Sequence, residues 1–206
     1  MKNFIKPIAV SMGEPSGIAS EIIIKIWLKR KNFNLPPFIL VDDLQKLSQL
    51  NELFNLKAKF KAIQLPEEGL DVFNDAIPIV DLKAGINLNL GVSDKRNNKY
   101  VLKSIKKSFD FVYNKKCSSL LTLPVCKKTL KKERFNFNGQ TEFLSYLAKK
   151  KSGIEQFEIM ILSTTKPVDN GKNLVVGLIT THVPLSKVHT NVKKINIIKR
   201  ILSFQK

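Results

Sequence analysis

Short apolar runs alternate with amphipathic stretches along most of this chain. The apolar runs predict β-strands at residues 4–12, 38–41, 119–123, 156–162 and 174–179. Apolar residues spaced three and four apart predict helices at residues 20–31, 43–55, 99–115, 141–150 and 186–206. Two further strand-like runs lie within residues 57–82, where the topology is least readable. Strands that alternate with helices indicate an α/β fold, with a largely parallel sheet flanked by helices.

Residues at the element ends refine this prediction. Ser20 and Thr141 fit the N-cap positions of their helices, and the Asp42-Asp43 pair can cap the helix that follows it. We interpret that pair as a cap beside a solvated neighbour, in preference to a metal or acid–base site. The strand at 119–123 is closed by Pro124 and is predicted to be buried. The last helix carries an apolar stripe, formed by Val192, Ile195, Ile198 and Leu202.

The composition is that of a globular protein. The chain has 206 residues and 43% hydrophobic content, with no apolar run of membrane-spanning length. Its first residues lack a small-residue cleavage site, so we interpret them as a strand and not as a signal peptide. Two cysteines form neither a disulfide framework nor a zinc pattern, so we expect a reducing cytoplasm. We find no repeat or linker, and treat residues 1–206 as one α/β unit without a readable domain boundary.

The formal net charge of +18 adds a question about partners. One interpretation is a polyanion site for nucleic acid or an acidic membrane. However, the lysine pairs are scattered along the chain, and Lys greatly outnumbers Arg, the residue that nucleic-acid readers favour. We therefore favour a solvated basic surface, and we keep nucleic-acid or acidic-surface binding as the alternative.

Two segments carry candidate chemistry. After the strand at 119–123 come Cys126 and Lys127, followed by the start of the helix at 141, an arrangement with which open α/β sheets hold anions. Near the start, residues 13–18 form a Gly-containing loop that matches neither a Walker A loop nor a dinucleotide fingerprint. Each candidate has a structural alternative. The loop could be a tight turn, Lys127 a solvated lysine, and Cys126 a packed thiol rather than a nucleophile.

Three motifs follow one another along the chain: Gly13-Glu14-Pro15-Ser16-Gly17-Ile18, then Thr122-Leu123-Pro124-Val125-Cys126-Lys127 with Gly139-Gln140-Thr141-Glu142-Phe143, and then Thr180-Thr181-His182-Val183-Pro184-Leu185. In this order they resemble the family of 4-hydroxythreonine-4-phosphate dehydrogenases. The match covers nearly all of this chain but only the N-terminal part of the family. We expect the three motifs to line one pocket for a phosphorylated amino acid.

The resemblance implies an isocitrate/isopropylmalate dehydrogenase-like fold, C-terminally truncated in this chain. It also implies a cytoplasmic homodimer that oxidises 4-phosphooxy-L-threonine for pyridoxal phosphate biosynthesis. The cofactors would be NAD and a divalent metal (zinc, magnesium or cobalt). By the same resemblance, Gln140 and Thr141 bind the substrate, His182 binds the metal and Lys127 is a catalytic candidate. The residues that bind NAD are not identified.

Three departures from the family pattern change the expected activity. Ala19 stands where the family has Gly, and Gln140 stands where it has His and so cannot become cationic. The family's other two metal ligands are later histidines, and His189 is not one of them. We therefore expect little or no dehydrogenase activity from this chain alone. A complementing C-terminal partner, or a full-length relative that pairs with an inactive remnant, would supply the rest.

Overall fold

The structure is a computed structural model that describes residues 6–131, 135–137, 139–154, 157–168 and 171–204. The chain forms two compact units, Met1–Phe137 and Asn138–Lys206. The sequence contains no linker that would signal this division. The Asn138-Gly139 pair in the sequence predicts a turn, and Asn138 lies outside the described residues.

The first unit contains a parallel five-stranded sheet. Its strands are β1 (Ile8–Ser11), β2 (Phe38–Asp42), β3 (Phe60–Ala62), β4 (Ile77–Asp81) and β5 (Ser119–Thr122), in the spatial order β3-β4-β2-β1-β5. Its helices are α1 (Ala19–Leu28), α2 (Leu44–Leu53), α3 (Gly69–Val72), α4 (Asn98–Tyr113) and α5 (Lys127–Lys131). Short 3-10 turns precede α3 and α4, at Pro66–Glu68 and Lys95–Asn97. The parallel α/β fold predicted from the sequence is confirmed.

The core of this unit forms where α1 covers the central strands. β2 is buried along its whole length, as expected for a parallel strand with helices on both faces. Ile24 and Trp27 of α1 pack into the same cluster as Ile77 of β4. The indole Nε1 of Trp27 donates a hydrogen bond to the Phe73 carbonyl at 2.9 Å, which satisfies its only polar group.

The predicted N-cap of α1 is wrong. Ser20 is not the N-cap, because the helix starts one residue earlier and Ile18 occupies the cap position. The buried face contains Ile24, whereas Ile26 remains 38% exposed. A run of consecutive isoleucines satisfies more than one helical register, so its spacing alone does not identify the inward side.

One prediction about the cap of α2 is confirmed, and two predictions about Asp42 and β5 are wrong. Asp43 caps α2 as predicted, since its side chain accepts a hydrogen bond from the Lys46 amide at 2.7 Å. Asp42 was predicted to be solvated, and this prediction is wrong: its side chain is 1% exposed and paired with Lys46. The prediction that the 119–123 strand is buried is also wrong, because β5 lies at a sheet edge and Leu121 is 50% exposed.

Among its described residues, the second unit contains a two-stranded antiparallel sheet and three α-helices. They are α6 (Gln140–Ser152), β6 (Met160–Ser163), β7 (Val175–Leu178), α7 (Val188–Asn191) and α8 (Lys194–Phe204). The strands pair from Met160 with Leu178 to Ser163 with Val175. Helix α6 ends at Gly153, whose φ of 69° is the left-handed conformation typical of a helix C-cap.

Two predictions for this unit need correction. Thr141 is not an N-cap but the second residue of α6, and Gly139 occupies the cap position. The single helix predicted at 186–206 is broken into a 3-10 turn at Leu185–Lys187, then α7 and α8. Val192 lies at the break with non-helical angles, φ −83° and ψ 77°. None of the helices in the described part of the chain has the length and apolar character that a membrane crossing requires.

Candidate functional site

The Gly-containing loop after β1 packs directly on the segment after β5. The Glu14 amide donates to the Pro124 carbonyl at 2.8 Å. A Cβ atom at Gly13 would lie 2.5 Å from that same carbonyl oxygen and 2.5 Å from the Ala19 Cβ. Two of the sequence motifs therefore meet at the carboxyl ends of neighbouring parallel strands, where α/β proteins bind ligands. The close packing explains the glycine at position 13 without a ligand.

Glu14, Pro15 and Ser16 of this loop are buried, whereas Ile18 is exposed. Glu14 is 9% exposed, and its Oε1 accepts a hydrogen bond from the Ser16 amide at 3.3 Å. The hydroxyls of Ser11 and Ser16 are buried, and neither finds a hydrogen-bond partner among the described residues. Such hydroxyls can satisfy a polar ligand group, but they do not identify a binding site for NAD.

Lys127 is exposed at the start of α5, next to Cys126. Hydrogen bonds from Thr129, with a smaller contribution from Ser93, lower the pKa of the half-buried Cys126 thiol. Burial, with a smaller effect of Glu67, raises the pKa of the Cys117 thiol to about 12. Cys126 is therefore the more acidic of the two thiols, although no base is seen beside it in the part of the chain that the structure describes.

A polar cavity of about 390 Å³ lies in the first unit beside α5. Its lining residues are Asn87, Asn89, Val92, Ser93, Asp94, Lys95, Arg96 and Thr129. Asp94 accepts hydrogen bonds from the Arg96 amide at 2.9 Å and from its Nε at 2.8 Å. The Arg96 side chain is the main reason that the pKa of Asp94 is lowered to about 2. The two charges largely neutralise each other, which leaves Lys95 as the extra cation.

A second cavity, of about 300 Å³, lies within the second unit. Its lining residues are Glu142, Phe157, Glu158, Ile179, Thr180, Thr181, Val183, Asn191, Asn196, Lys199 and Arg200. Its lining comes from the first turn of α6, the approach to β6, the segment after β7, and the helices α7 and α8. We call it the unit-two cavity.

The segment that contains His182 forms one wall of this cavity. β7 ends at Leu178, and the chain continues without regular secondary structure, with bends at Ile179 and His182, to the 3-10 turn at Leu185–Lys187 that Pro184 caps. His182 itself is exposed and has a φ of 56°. This left-handed conformation is uncommon for a residue with a side chain, and such strain is concentrated at functional sites.

The α6 N-terminus forms another wall. Gln140 is half-buried and Thr141 is exposed, while the next residue, Glu142, lines the cavity. The structure thus brings the immediate neighbours of Thr141 and His182 around one cavity, although these two residues do not line it themselves. The Gly-containing loop and Lys127 lie in the first unit, so a single pocket formed by all three motifs stays a prediction.

Two cations of α8 at this cavity were missed by the sequence analysis. The Arg200 Nη1 donates to the Glu158 carbonyl at 2.5 Å, and the Lys199 ammonium lies 4.7 Å from the centre of the Phe157 ring. Together with Glu142 and Glu158, they give the cavity two positive and two negative groups. The available signal was an adjacent Lys-Arg pair within an amphipathic helix.

The residues that the structure describes do not form a complete catalytic metal site. The sequence contains 2 histidines, and His189 lies away from the Thr-Thr-His motif, on α7. Within the described ranges, no group of three or more His, Cys, Asp or Glu side chains could hold a metal ion. A catalytic zinc site needs three protein ligands, so His182 supplies one ligand at most.

Comparison with known sequences places these motifs in a family context. Residues 35–206 match the family described as pyridoxal phosphate biosynthetic protein PdxA. The 4-hydroxythreonine-4-phosphate dehydrogenase of Zymomonas mobilis is 28% identical over 184 residues, which are 89% of this chain and 50% of that protein. The Erythrobacter litoralis protein of the same name is 30% identical over 184 residues, 89% of this chain and 51% of its own length.

Solved structures give the same picture for the fold. The Burkholderia phymatum 4-hydroxythreonine-4-phosphate dehydrogenase matches 97% of this chain with a TM-score of 0.77, at 19% identity and over 57% of its own chain. The Klebsiella pneumoniae protein of that name gives 0.76 at 24% identity, over 95% of this chain and 57% of its own. The chain thus spans about half the length of the curated relatives that it matches.

Proposed function

This chain belongs to the PdxA family of pyridoxal phosphate biosynthetic proteins, and we propose that it contributes the phosphate-binding part of a 4-hydroxythreonine-4-phosphate dehydrogenase. The reaction would be the NAD-dependent oxidation of 4-phosphooxy-L-threonine to 2-amino-3-oxo-4-phosphooxybutanoate, which then loses carbon dioxide. One observation carries the proposal: residues next to both Thr141 and His182 line the unit-two cavity.

The composition of the unit-two cavity suits a phosphorylated amino acid. The first turn of α6 can present backbone amides and the exposed Thr141 hydroxyl to a phosphate, which the helix dipole also favours. Gln140 can add a neutral amide donor. Lys199 and Arg200 can balance the phosphate, while Glu142 or Glu158 can accept a hydrogen bond from the substrate ammonium. We assign no catalytic step to Lys127, which stays a candidate in the first unit.

We propose that this chain binds substrate without oxidising it unaided. One imidazole is too few ligands for the metal. Among the described residues of either unit, we identify no NAD pocket. The missing groups would come from the family's remaining half, supplied by a full-length relative that pairs with this chain or by a complementing C-terminal polypeptide. We place the assembly in the cytoplasm, because the substrate is a metabolite and both cysteines are free.

Titration calorimetry with 4-phosphooxy-L-threonine, with L-threonine as the control, tests the binding part. We expect saturable binding that depends on the phosphate. The absence of turnover is tested by following NADH absorbance with substrate, NAD and added zinc, magnesium or cobalt. We expect no NADH formation. Equal binding of both ligands would refute the phosphate site, and robust NADH formation would refute the incomplete metal set.

A second candidate function follows from the net charge of +18. A basic protein without catalysis would bind nucleic acid or an acidic surface through its lysines. Titration of duplex and single-stranded DNA at several salt concentrations distinguishes it from the first candidate. Micromolar affinity that falls steeply with salt supports polyanion binding, whereas feeble binding at low salt contradicts it.

A further inference from the structure

Helix α8 contacts the β6–β7 hairpin through one face. The Phe204 ring approaches to 3.4 Å from the position that a Cβ of Gly177 would occupy. Arg200, one turn earlier, donates to the Glu158 carbonyl that precedes β6. Because residues four apart lie on one side of a helix, Arg200 and Phe204 identify the side of α8 that faces the hairpin.

The opposite side of α8 carries an apolar stripe. Ile195, Ile198 and Leu202 follow the i, i+3, i+7 spacing and are 55%, 42% and 56% exposed. At 100° per residue, this stripe is centred roughly 180° from the direction defined by Arg200 and Phe204. The sequence analysis identified these three positions as part of an apolar stripe. The structure leaves them in contact with solvent.

Apolar side chains elsewhere in the described part of the second unit are exposed as well. Among its described helix residues, only Phe143 of α6 is buried. The hairpin strands expose further large apolar side chains, namely Met160, Ile161, Leu162, Val175 and Val176. Clusters of exposed apolar side chains such as the α8 stripe mark interaction sites in proteins.

Charged residues beside the stripe restrict what can cover it. Lys194 and Lys199 lie on its two sides, each about 70° from its centre at 100° per residue. A second copy of α8 packed on this stripe would set lysines against lysines. A helix with carboxylates at the flanking positions would instead form ion pairs, as in the pairing of coiled coils.

We propose that the Ile195–Ile198–Leu202 stripe is a helix-docking surface. Its occupant is an amphipathic helix with an apolar seam flanked by Asp or Glu, supplied by the half of the PdxA fold that this chain does not span. The relatives are about twice as long as the matched region, and the remainder of an α/β fold contains helices. The proposal rests on the proposed function only for the identity of this second half.

The test uses the full chain, co-expressed with the remaining half of the Zymomonas mobilis relative. We expect the two polypeptides to copurify, and Ile198→Ala with Leu202→Ala to weaken their affinity at least tenfold in a calorimetric titration. Leu53→Ala is the matched control, since Leu53 is an exposed apolar helix residue of the first unit. It should change the affinity less than twofold. Alanine retains helix propensity, so α8 should still form.

The charge requirement is tested with two synthetic 18-residue helical peptides that share a leucine seam. One has Glu and the other Lys at the flanking positions. We expect the Glu peptide to bind at least tenfold more tightly, and Lys194→Glu to reduce that preference, whereas Lys166→Glu in a surface loop should not.

Three outcomes overturn the proposal: no complex, a complex insensitive to the alanine pair, or self-association of the chain that the alanine pair abolishes. None of these depends on substrate. Titration of the same variants with 4-phosphooxy-L-threonine reports on the proposed function separately, because Ile198 and Leu202 do not line the unit-two cavity.

Discussion

The Lys46 ammonium lies 2.7 Å from Asp42 Oδ1, although both side chains are only 1% exposed. The same ammonium donates to the Ser20 hydroxyl at 2.8 Å. Burial raises the pKa of Asp42, and the attraction of Lys46 opposes this effect. These contacts join β2, α2 and the first turn of α1, directly after the Gly-containing loop.

Removing one partner of this pair should be costly. We expect Lys46→Met to lower the free energy of unfolding by about 3–5 kcal/mol, because it leaves the Asp42 carboxyl buried without a counter-charge. Urea denaturation measures the change. Lys25→Met is the control, since Lys25 forms an exposed i,i+4 pair with Glu21 and should lose less than about 1 kcal/mol. Similar losses in the two variants would show that burial does not strengthen the Lys46 pair.

A Cβ atom at position 13 should disrupt the contact between the two motifs of the first unit. Gly13→Ala places a methyl group 2.5 Å from the Pro124 carbonyl oxygen. We expect a loss of about 1–3 kcal/mol in urea denaturation, as is typical of overpacking. At Gly139 nothing lies within 4 Å and φ is an extended −165°, so Gly139→Ala should cost less than about 1 kcal/mol. A neutral Gly13→Ala would contradict the observed packing.

The Asp94–Arg96 pair predicts an acid-side pH dependence. The pKa of Asp94 is lowered from 3.8 to about 2, so its carboxylate stabilises the fold above pH 3.8. That contribution is lost as the pH falls from 3.8 towards 2. Carbon-detected NMR titration of the carboxyl should show the low pKa, and Arg96→Gln should return it towards 3.8. An unchanged pKa in this variant would exclude Arg96 as the cause.

The two cysteines should react at very different rates. Cys126 is half-buried with a pKa below its ordinary 9.0, whereas Cys117 is 3% exposed with a pKa of about 12. Because the thiolate is the nucleophile, we expect iodoacetamide at pH 8 to alkylate Cys126 at least about a hundredfold faster. Peptide mass spectrometry follows both sites in one sample. Thr129→Val should slow Cys126 alone, and equal rates at the two sites would contradict these environments.

Restoring the family histidine should strengthen phosphate binding. Gln140→His places a group that can become cationic at the N-terminus of α6, where the substrate phosphate is proposed to bind. We expect the Kd for 4-phosphooxy-L-threonine to fall roughly tenfold at pH 6, about 1.4 kcal/mol, with a smaller change at pH 8. Calorimetry at both values tests this. A gain of the same size for L-threonine would contradict a phosphate contact.

Sequence reasoning predicted the parallel sheet and most element positions, because buried strands and amphipathic helices have strong periodic signals. The predictions were wrong where tertiary contacts determine whether a residue is buried. Asp42 is buried because Lys46 lies four residues later on α2, and nothing in the local pattern distinguishes that pair from a solvated one. β5 is apolar but lies at an edge, since strand order follows from long-range pairing.

The candidate site was predicted only in part. The motifs located His182 and Thr141, but the contributions of Lys199 and Arg200 depend on how α8 folds back on the hairpin. The break at Val192 could not be read from a stripe that continues across it with helical spacing. Periodicity reports which residues are apolar, and it does not report where the backbone leaves the helix.

Because the backbone at His182 is left-handed, the contribution of its imidazole ring to ligand binding can be tested apart from its contribution to folding. A glycine or asparagine adopts φ 56° more easily than histidine does, so replacing the imidazole should relieve backbone strain instead of creating it. The ring can therefore be deleted from a protein that remains folded and is slightly more heat-resistant. Any ligand lost in such a variant was held by the imidazole itself.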